Sequence, residues 1–305
     1  MKLFYPTVAA LSVGLTLLAV EPYRIQAPPM TQRDVVKPAT PPPGKSIELQ
    51  DGNTKFILYI PDGWQAPASG EITLIIQFHG GSWFAIDEHL RHGLKTPLIA
   101  ATLGEGSSKY RVPFEDRERL QRWMDLALKS LQEQGAPKNS RITVLDISSF
   151  SAGYGAVREI LKSPKYYKMI QRIVLSDSMY AGLSNTNKGA IREPFPANIA
   201  PWIPFARAAA RGEKTFILTH SQVPTDYATS GECAAAVIKA AHAPILKIPA
   251  GSTPAASDPN FPLQYQSDIG DFHVWGYGGT NKEAHMTQVR HLADVWLTLD
   301  AAKNP

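Results

Sequence analysis

The sequence predicts an α/β architecture, with a mainly parallel central sheet and helices on both faces. Three observations predict it. β-rich and amphipathic runs alternate from Lys55 to Leu299. Several β-rich runs are apolar almost throughout, as in Ile72-Thr73-Leu74-Ile75-Ile76-Gln77-Phe78, the pattern of a strand covered on both faces. These runs empty into small and polar residues, and in such sheets ligands bind beyond the carboxyl ends of the strands. The loops after Phe78, Ser149, Leu175, Leu218 and Tyr277 are therefore expected on one rim.

The elements follow in order. Lys55–Ile60 reads as a strand closed by Pro61-Asp62-Gly63, and Ile72–Phe78 as a buried strand running into His79-Gly80-Gly81-Ser82-Trp83. Another apolar run spans Pro97–Leu103. Arg119–Gln134 has Leu120, Trp123, Met124, Ala127 and Leu131 near helical spacing and is stopped by Gly135 and Pro137. A strand then ends at Ser149-Phe150-Ser151, with a helix over Tyr154–Leu161. Ile170–Leu175 is a buried strand ending in Ser176-Asp177-Ser178. Residues 179–200 lack periodicity and read as a loop or small lid. Pro204–Arg211 and Glu232–Ala241 read as helices, Thr215–Thr219 as a strand, and residues 248–270, interrupted by prolines, as a loop. Phe272–Tyr277 is the last strand and Met286–Leu299 the last helix.

Composition bounds the function. Hydrophobic residues at 44% and charged residues at 19% fit a globular chain and not a disordered one. The net charge is +4, but lysine and arginine are scattered without a block, which argues against a nucleic-acid partner. One cysteine, Cys233, excludes an internal disulfide and a cysteine-based metal cluster. The eight histidines form no HExxH spacing, so a zinc centre is not expected.

Residues 1–20 read as a targeting segment: Lys2 precedes an apolar stretch, Val8–Val20, too short to span a membrane comfortably. The nearest cleavage candidate is Ile25-Gln26-Ala27. Residues 1–27 are thus expected to be a signal peptide, with an uncleaved N-terminal anchor as the alternative and no other membrane contact. Residues 28–45 are proline-rich, including Pro41-Pro42-Pro43, and read as an extended linker. The domain proper runs over 46–305, and an exported protein, periplasmic or secreted, is expected.

The motif that organises the chain is Ser149-Phe150-Ser151-Ala152-Gly153. It fits Gly-x-Ser-x-Gly with serine in the first glycine position. That pattern describes a nucleophile elbow, a sharp strand-to-helix turn that lifts a serine hydroxyl above the sheet. Small residues two before and two after the serine keep the neighbouring backbone clear. An ordinary strand–turn–helix junction with a serine cap would read the same way.

The order strand–His-Gly-Gly, elbow serine, acid after a later strand, and histidine before the final helix resembles the α/β-hydrolase superfamily over roughly residues 48–300. Phe150–Ala156, Gly276-Tyr277-Gly278-Gly279 and Ala284-His285-Met286 resemble its exported esterase-like members. The resemblance implies a serine hydrolase, with Ser151 as nucleophile, His285 as base and an aspartate as the acid, and it implies no cofactor. Asp177, at a strand's carboxyl end, is the favoured acid. Asp226 is the alternative, because the superfamily more often places the acid after the following strand. His273 and His291 are read as structural, and His79 as a hydrogen-bonding partner. The superfamily's plan assigns the oxyanion hole to the backbone N–H groups of Ala152 and Gly81. Trp83, Tyr154, Tyr180, Trp202 and Trp275 could form an aromatic wall. The expected partner is a small-molecule or polymer ester. The same machinery would serve a peptidase or amidase, and a non-catalytic binding protein on the same fold is the rival from another class.

Overall fold

The apolar runs become the centre of one ten-stranded sheet, ordered β1-β2-β4-β3-β5-β6-β7-β10-β9-β8. In chain order the strands are β1 (Lys45–Asp51), β2 (Thr54–Ile60), β3 (Glu71–Phe78), β4 (Leu98–Ala101), β5 (Arg141–Phe150), β6 (Ile170–Ser176), β7 (Thr215–His220), β8 (Leu246–Lys247), β9 (Leu263–Ile269) and β10 (Phe272–Tyr277). The six central strands, β4 through β10 in that order, pair in parallel. Antiparallel pairs finish both edges. The helices are α1 (Ser82–His92), α2 (Ser108–Glu115), α3 (Arg119–Glu133), α4 (Tyr154–Leu161), α5 (Pro164–Met169), α6 (Pro196–Ile199), α7 (Ile203–Ala210), α8 (Ser230–Ala241), α9 (Lys282–Arg290) and α10 (Leu292–Lys303). This computed structural model describes residues 25–93, 95–185, 192–249, 251–252 and 257–303. The targeting stretch over residues 1–20 lies outside them. No helix among the described residues is long and apolar enough to cross a membrane.

Alternation along the strands shows why the runs are apolar on both sides. Ile173 and Leu175 of β6, with Phe216 and Leu218 of β7, enter the large core under α3, α4, α7 and α8. Val174 and Ile217, one residue out of phase, enter a second core under α10. Side chains that alternate across a strand need an apolar cover on each face, and helices supply both.

Several elements differ from the sequence expectation. Residues 248–270, expected as a loop, contain β9. Its sequence Leu-Gln-Tyr-Gln-Ser-Asp-Ile is polar, yet Gln266, Ser267 and Asp268 are buried. Asp268 is satisfied across the hairpin by His273 Nδ1 at 2.8 Å and Trp275 Nε1 at 3.1 Å. β1 is a half-exposed edge strand, and α1 carries Glu88, His89 and His92 inward, so neither shows a clean apolar period. The expected single last helix is two helices that meet at His291.

A docked strap straddles the end of the segment expected as a signal peptide (1–27) and the start of the expected linker (28–45). Ile25, Ala27 and Met30 are buried against Trp275, Tyr277, Leu292, Val295, Trp296 and Leu299. Tyr277 donates its hydroxyl to the Pro28 carbonyl at 2.7 Å, and Asp258 N–H donates to Met30 O at 3.0 Å. His291 faces both the Thr31 amide and the Thr31 carbonyl, and Arg33 binds the buried Glu88 and the Arg290 carbonyl. Met30 has no exposure at all. Met30→Ala is therefore expected to destabilise the domain by about 2–5 kcal/mol in denaturant unfolding, the usual range for a buried methionine. A loss under about 1 kcal/mol would mean that the Met30 side chain is not packed as part of the folding core.

Candidate active site

The rim predicted from strand order exists. His79, Phe150, Ser151, Ala152, Tyr154, Tyr180, Tyr227 and His285, from the ends of five strands, share one cavity of about 760 Å³. Four described non-glycine residues have positive φ, and three of them stand at this edge: His79 (68°), Ser151 (46°) and Asp177 (43°). The fourth, His242, closes the C-terminus of α8. A left-handed conformation costs such a residue on the order of 1–3 kcal/mol, so three together mark a place where geometry overrides local preference.

The elbow turns sharply because β5 ends in extended backbone at Phe150 and Ser151 enters a short 3-10 turn, Ser151–Gly153, that leads into α4. Gly153 is obligatory there: a Cβ would lie 2.4 Å from the Phe78 carbonyl oxygen of β3. Ser149 occupies the position where glycine is expected. It is buried, and its hydroxyl meets Ser178 Oγ at 2.6 Å, while Ser178 Oγ donates to the Ser151 carbonyl at 2.9 Å. The extra hydroxyl is thus absorbed into a serine pair that steadies the elbow.

Asp177 and His285 lie together, with Oδ2 2.9 Å from His285 Nδ1. The carboxylate is 2% exposed and also accepts from Tyr180 Oη at 3.2 Å, the Ser221 amide at 3.3 Å and the Ser221 hydroxyl. Burial alone would raise its pKa, but the bond to His285, the imidazolium field and the Ser221 hydroxyl outweigh burial and hold it below the ordinary carboxylate range. Asp226, the alternative acid, is exposed on the loop after β7. Its neighbourhood behaves as a turn, with Thr225 Oγ1 donating to the Tyr227 carbonyl. Glu232 completes a capping box with Thr229 at the start of α8.

His285 is on α9, whose first turn is capped by Asn281 Oδ1 accepting from Ala284 N–H at 2.9 Å. Its ring packs against Phe150 at 4.6 Å, and Phe150 stacks in turn on His79 at 5.7 Å. No hydrogen bond joins Ser151 to His285 among the described residues, although both line the cavity; such bonds are often long in unliganded sites and tighten with substrate. His79 Nδ1 pairs with Tyr110 Oη at 2.8 Å. Burial, reinforced by His285, pushes His79 below the ordinary imidazole range, so it stays neutral. His273 and His291 pair with Asp268 and Asp294, away from the cavity.

Ala152 lines the cavity at the start of the helical turn, where N–H groups lack intrahelical partners. Gly81 is not among the lining residues; it is the N-cap of α1, and its missing side chain makes room for the Trp83 indole, 2.8 Å from where a Cβ would be. Thr102 Oγ1 donates to the Gly80 carbonyl. In a trans peptide this turns the Gly81 N–H to the side opposite Thr102.

Of the expected aromatic wall, Tyr154 and Tyr180 line the cavity, their ring centroids 5.6 Å apart. Trp202 and Trp275 are instead wholly buried in the two cores, and Trp83 lines a separate groove with the proline-rich residues 37–42. Tyr227 joins the wall unforeseen, edge-on to Tyr180 at 5.6 Å. Glu105, Ser107, Lys282 and Met286 also line the cavity, and no spacing in the sequence marks any of them. Beside the mouth, residues 179–200 form two isolated bridges, Ala181 to Ala228 and Leu183 to Pro194, and the short α6. Residues 186–191 of that stretch lie outside the described residues. Among the described residues, no group of three His, Cys, Asp or Glu side chains could hold a metal ion.

No family model and no curated protein sequence matches the chain. Solved structures do. A poly(3-hydroxybutyrate) depolymerase from Bordetella parapertussis is 12% identical over 83% of this chain and 88% of that one, with a TM-score of 0.46. A feruloyl esterase module from Clostridium thermocellum is 10% identical over 90% and 95%, at 0.48. Carboxyl esterase 2 from Tuber melanosporum is 15% identical over 89% and 88%, at 0.44. The parallel sheet with its two antiparallel edges, the serine elbow after β5 and the chain order serine, aspartate, histidine together give this chain the α/β-hydrolase fold.

Proposed function

We propose that the protein is an exported serine hydrolase that cleaves carboxylic esters through an acyl-enzyme. The observation that carries this reading is the convergence on one cavity of a left-handed serine at an elbow and a histidine bonded to a buried aspartate.

The chemistry assigns one role to each group. A serine hydroxyl is a weak nucleophile until a base removes its proton. Ser151 Oγ attacks the ester carbonyl carbon as His285 Nε2 takes that proton. Asp177 holds the Nδ1 proton and stabilises the imidazolium that forms. The tetrahedral oxygen gains negative charge, which the N–H of Ala152 receives; one such donor is worth about 10²–10³ in rate. The intermediate collapses, the alcohol leaves with the proton from His285, and water then releases the acid by the same steps in reverse order. Tyr154, Tyr180 and Tyr227 would hold the acyl or alcohol portion.

A fluorophosphonate probe with adduct mapping tests the reading. It is expected to label Ser151 in the wild type, with labelling sharply reduced in His285→Ala. A probe-inert protein that also fails to turn over short-chain esters would favour a binding protein on the hydrolase fold. Comparison of matched ester and amide substrates separates esterase from amidase.

A further inference from the structure

We propose that Ser221 is the positioning residue of the acid, and that Tyr265 and His220 hold Ser221 in place. The proposal rests on the serine-hydrolase reading above. A chain of hydrogen bonds runs from β9 through the end of β7 to Asp177, and none of Tyr265, His220 and Ser221 is among the residues lining the substrate cavity.

Asp177 leaves β6 with φ of 43°, so strand pairing does not set the direction of its side chain. Its donors do. Oδ2 receives His285 Nδ1, the Ser221 amide and the Ser221 hydroxyl, and Oδ1 receives Tyr180. Ser221 therefore binds with both its backbone and its side chain the same oxygen that orients the imidazole. A hydroxyl has one proton; with that proton on the carboxylate, the Ser221 oxygen is left to accept, and Val223 N–H approaches it at 3.4 Å.

Ser221 is itself held. His220 Nδ1 lies 2.9 Å from the Ser221 carbonyl oxygen, which can only accept, so Nδ1 carries the proton. Nε2 is then the acceptor for the Tyr265 hydroxyl, 2.6 Å away. His220 is buried, and burial pushes its pKa below the ordinary imidazole range, keeping the ring in the neutral form this arrangement needs. Two glycines make room for the pair. A Cβ on Gly276 of β10 would lie 2.2 Å from Tyr265 Cε1, and one on Gly231 of α8 would lie 3.1 Å from His220 Cε1. Side chains locked in this way are what hold a reacting group within the narrow tolerance catalysis needs.

The consequence has a sign. Without the Ser221 hydroxyl, the carboxylate keeps more of its charge and favours the imidazolium more strongly. The acid limb of kcat/KM then moves to higher pH. The other titratable groups around the imidazole are His79 from the end of β3, Glu105 from the loop after β4, Lys282 of α9, and Tyr154, Tyr180 and Tyr227, all left in place by the substitution.

The test is the pH profile of kcat and KM for ester turnover in wild type, Ser221→Ala, Ser221→Thr and Tyr265→Phe. Ser221→Ala is expected to lose about tenfold in kcat with KM within about twofold, since misorientation acts on the transition state, and its acid limb moves up. Ser221→Thr, which keeps the hydroxyl, returns the limb toward the wild-type position. Tyr265→Phe moves it in the same direction as Ser221→Ala by less. A loss of kcat with an unmoved limb, or a rise in KM alone, overturns the proposal. If Ser221→Ala does not fold, Tyr265→Phe decides, and a folded Tyr265→Phe with the wild-type limb overturns it. Fluorophosphonate labelling of the wild type keeps two failures apart. An unlabelled wild type removes the hydrolase reading, whereas a labelled one with unmoved limbs removes only this relay.

Discussion

Ser151→Ala is expected to lower kcat for ester turnover by about 10⁴–10⁶-fold, the range seen when a serine nucleophile is removed and only binding and oxyanion donors remain. The hydroxyl is delivered by the backbone geometry of the elbow and not by side-chain reach. The same geometry predicts a stability effect of opposite sense. Ser151 holds φ at 46°, a conformation glycine adopts freely. Ser151→Gly should therefore be as inactive as the alanine variant yet more stable, by about 1 kcal/mol or roughly 2–4 °C in Tm for a domain of this size. Thermal unfolding of the two variants beside wild type checks this. A Ser151→Gly protein that melts below Ser151→Ala would mean that the elbow is relaxed and not strained.

Asp177→Asn is expected to cost about 10⁴-fold in kcat, while Asp226→Asn stays within about twofold of wild type. The asparagine keeps the shape but presents an N–H or a neutral oxygen to His285, so the imidazole loses its preferred tautomer and its counter-charge. It also leaves a poorer acceptor where Oδ2 now receives His285, the Ser221 amide and the Ser221 hydroxyl. Asp226, on an exposed turn, has no comparable duty. Steady-state kinetics on one short-chain ester distinguish the two, and a large loss in Asp226→Asn alone would move the acid to the loop after β7.

The sheet was legible because parallel strands buried on both faces leave nearly continuous apolar runs, as in Ile72–Phe78 and Ile173–Leu175. The elbow was legible for a related reason: small residues must surround Ser151, and Gly153 has no room for a methyl group against β3. What resisted reading was polar matter that pairs at long range. Residues 248–270 read as loop because prolines interrupt them, and the polar β9 within offers no apolar run to counter that; only the fold supplies His273 and Trp275 as donors to Asp268. His220 and Ser221 follow the run read as a strand over Thr215–Thr219 and carry no motif, and only the fold brings Asp177 and Tyr265 to them. The tryptophans misled in the opposite sense: Trp202 and Trp275 lie near the rim in sequence but point into the cores. Tyr227 was missed because an exposed turn tyrosine carries no mark of the wall it joins.

The strap at Ile25–Arg33 joins segments far apart in sequence, seating Ile25, Ala27 and Met30 on residues of β10 and α10. Closing a loop of that length costs little more than closing a shorter one, since the entropy grows only with the logarithm of length. In time the effect is large, because contacts between such distant residues form late in folding. Ile25, Ala27 and Met30 have no seat until β10 and α10 are in place, so this seam is a late one in folding.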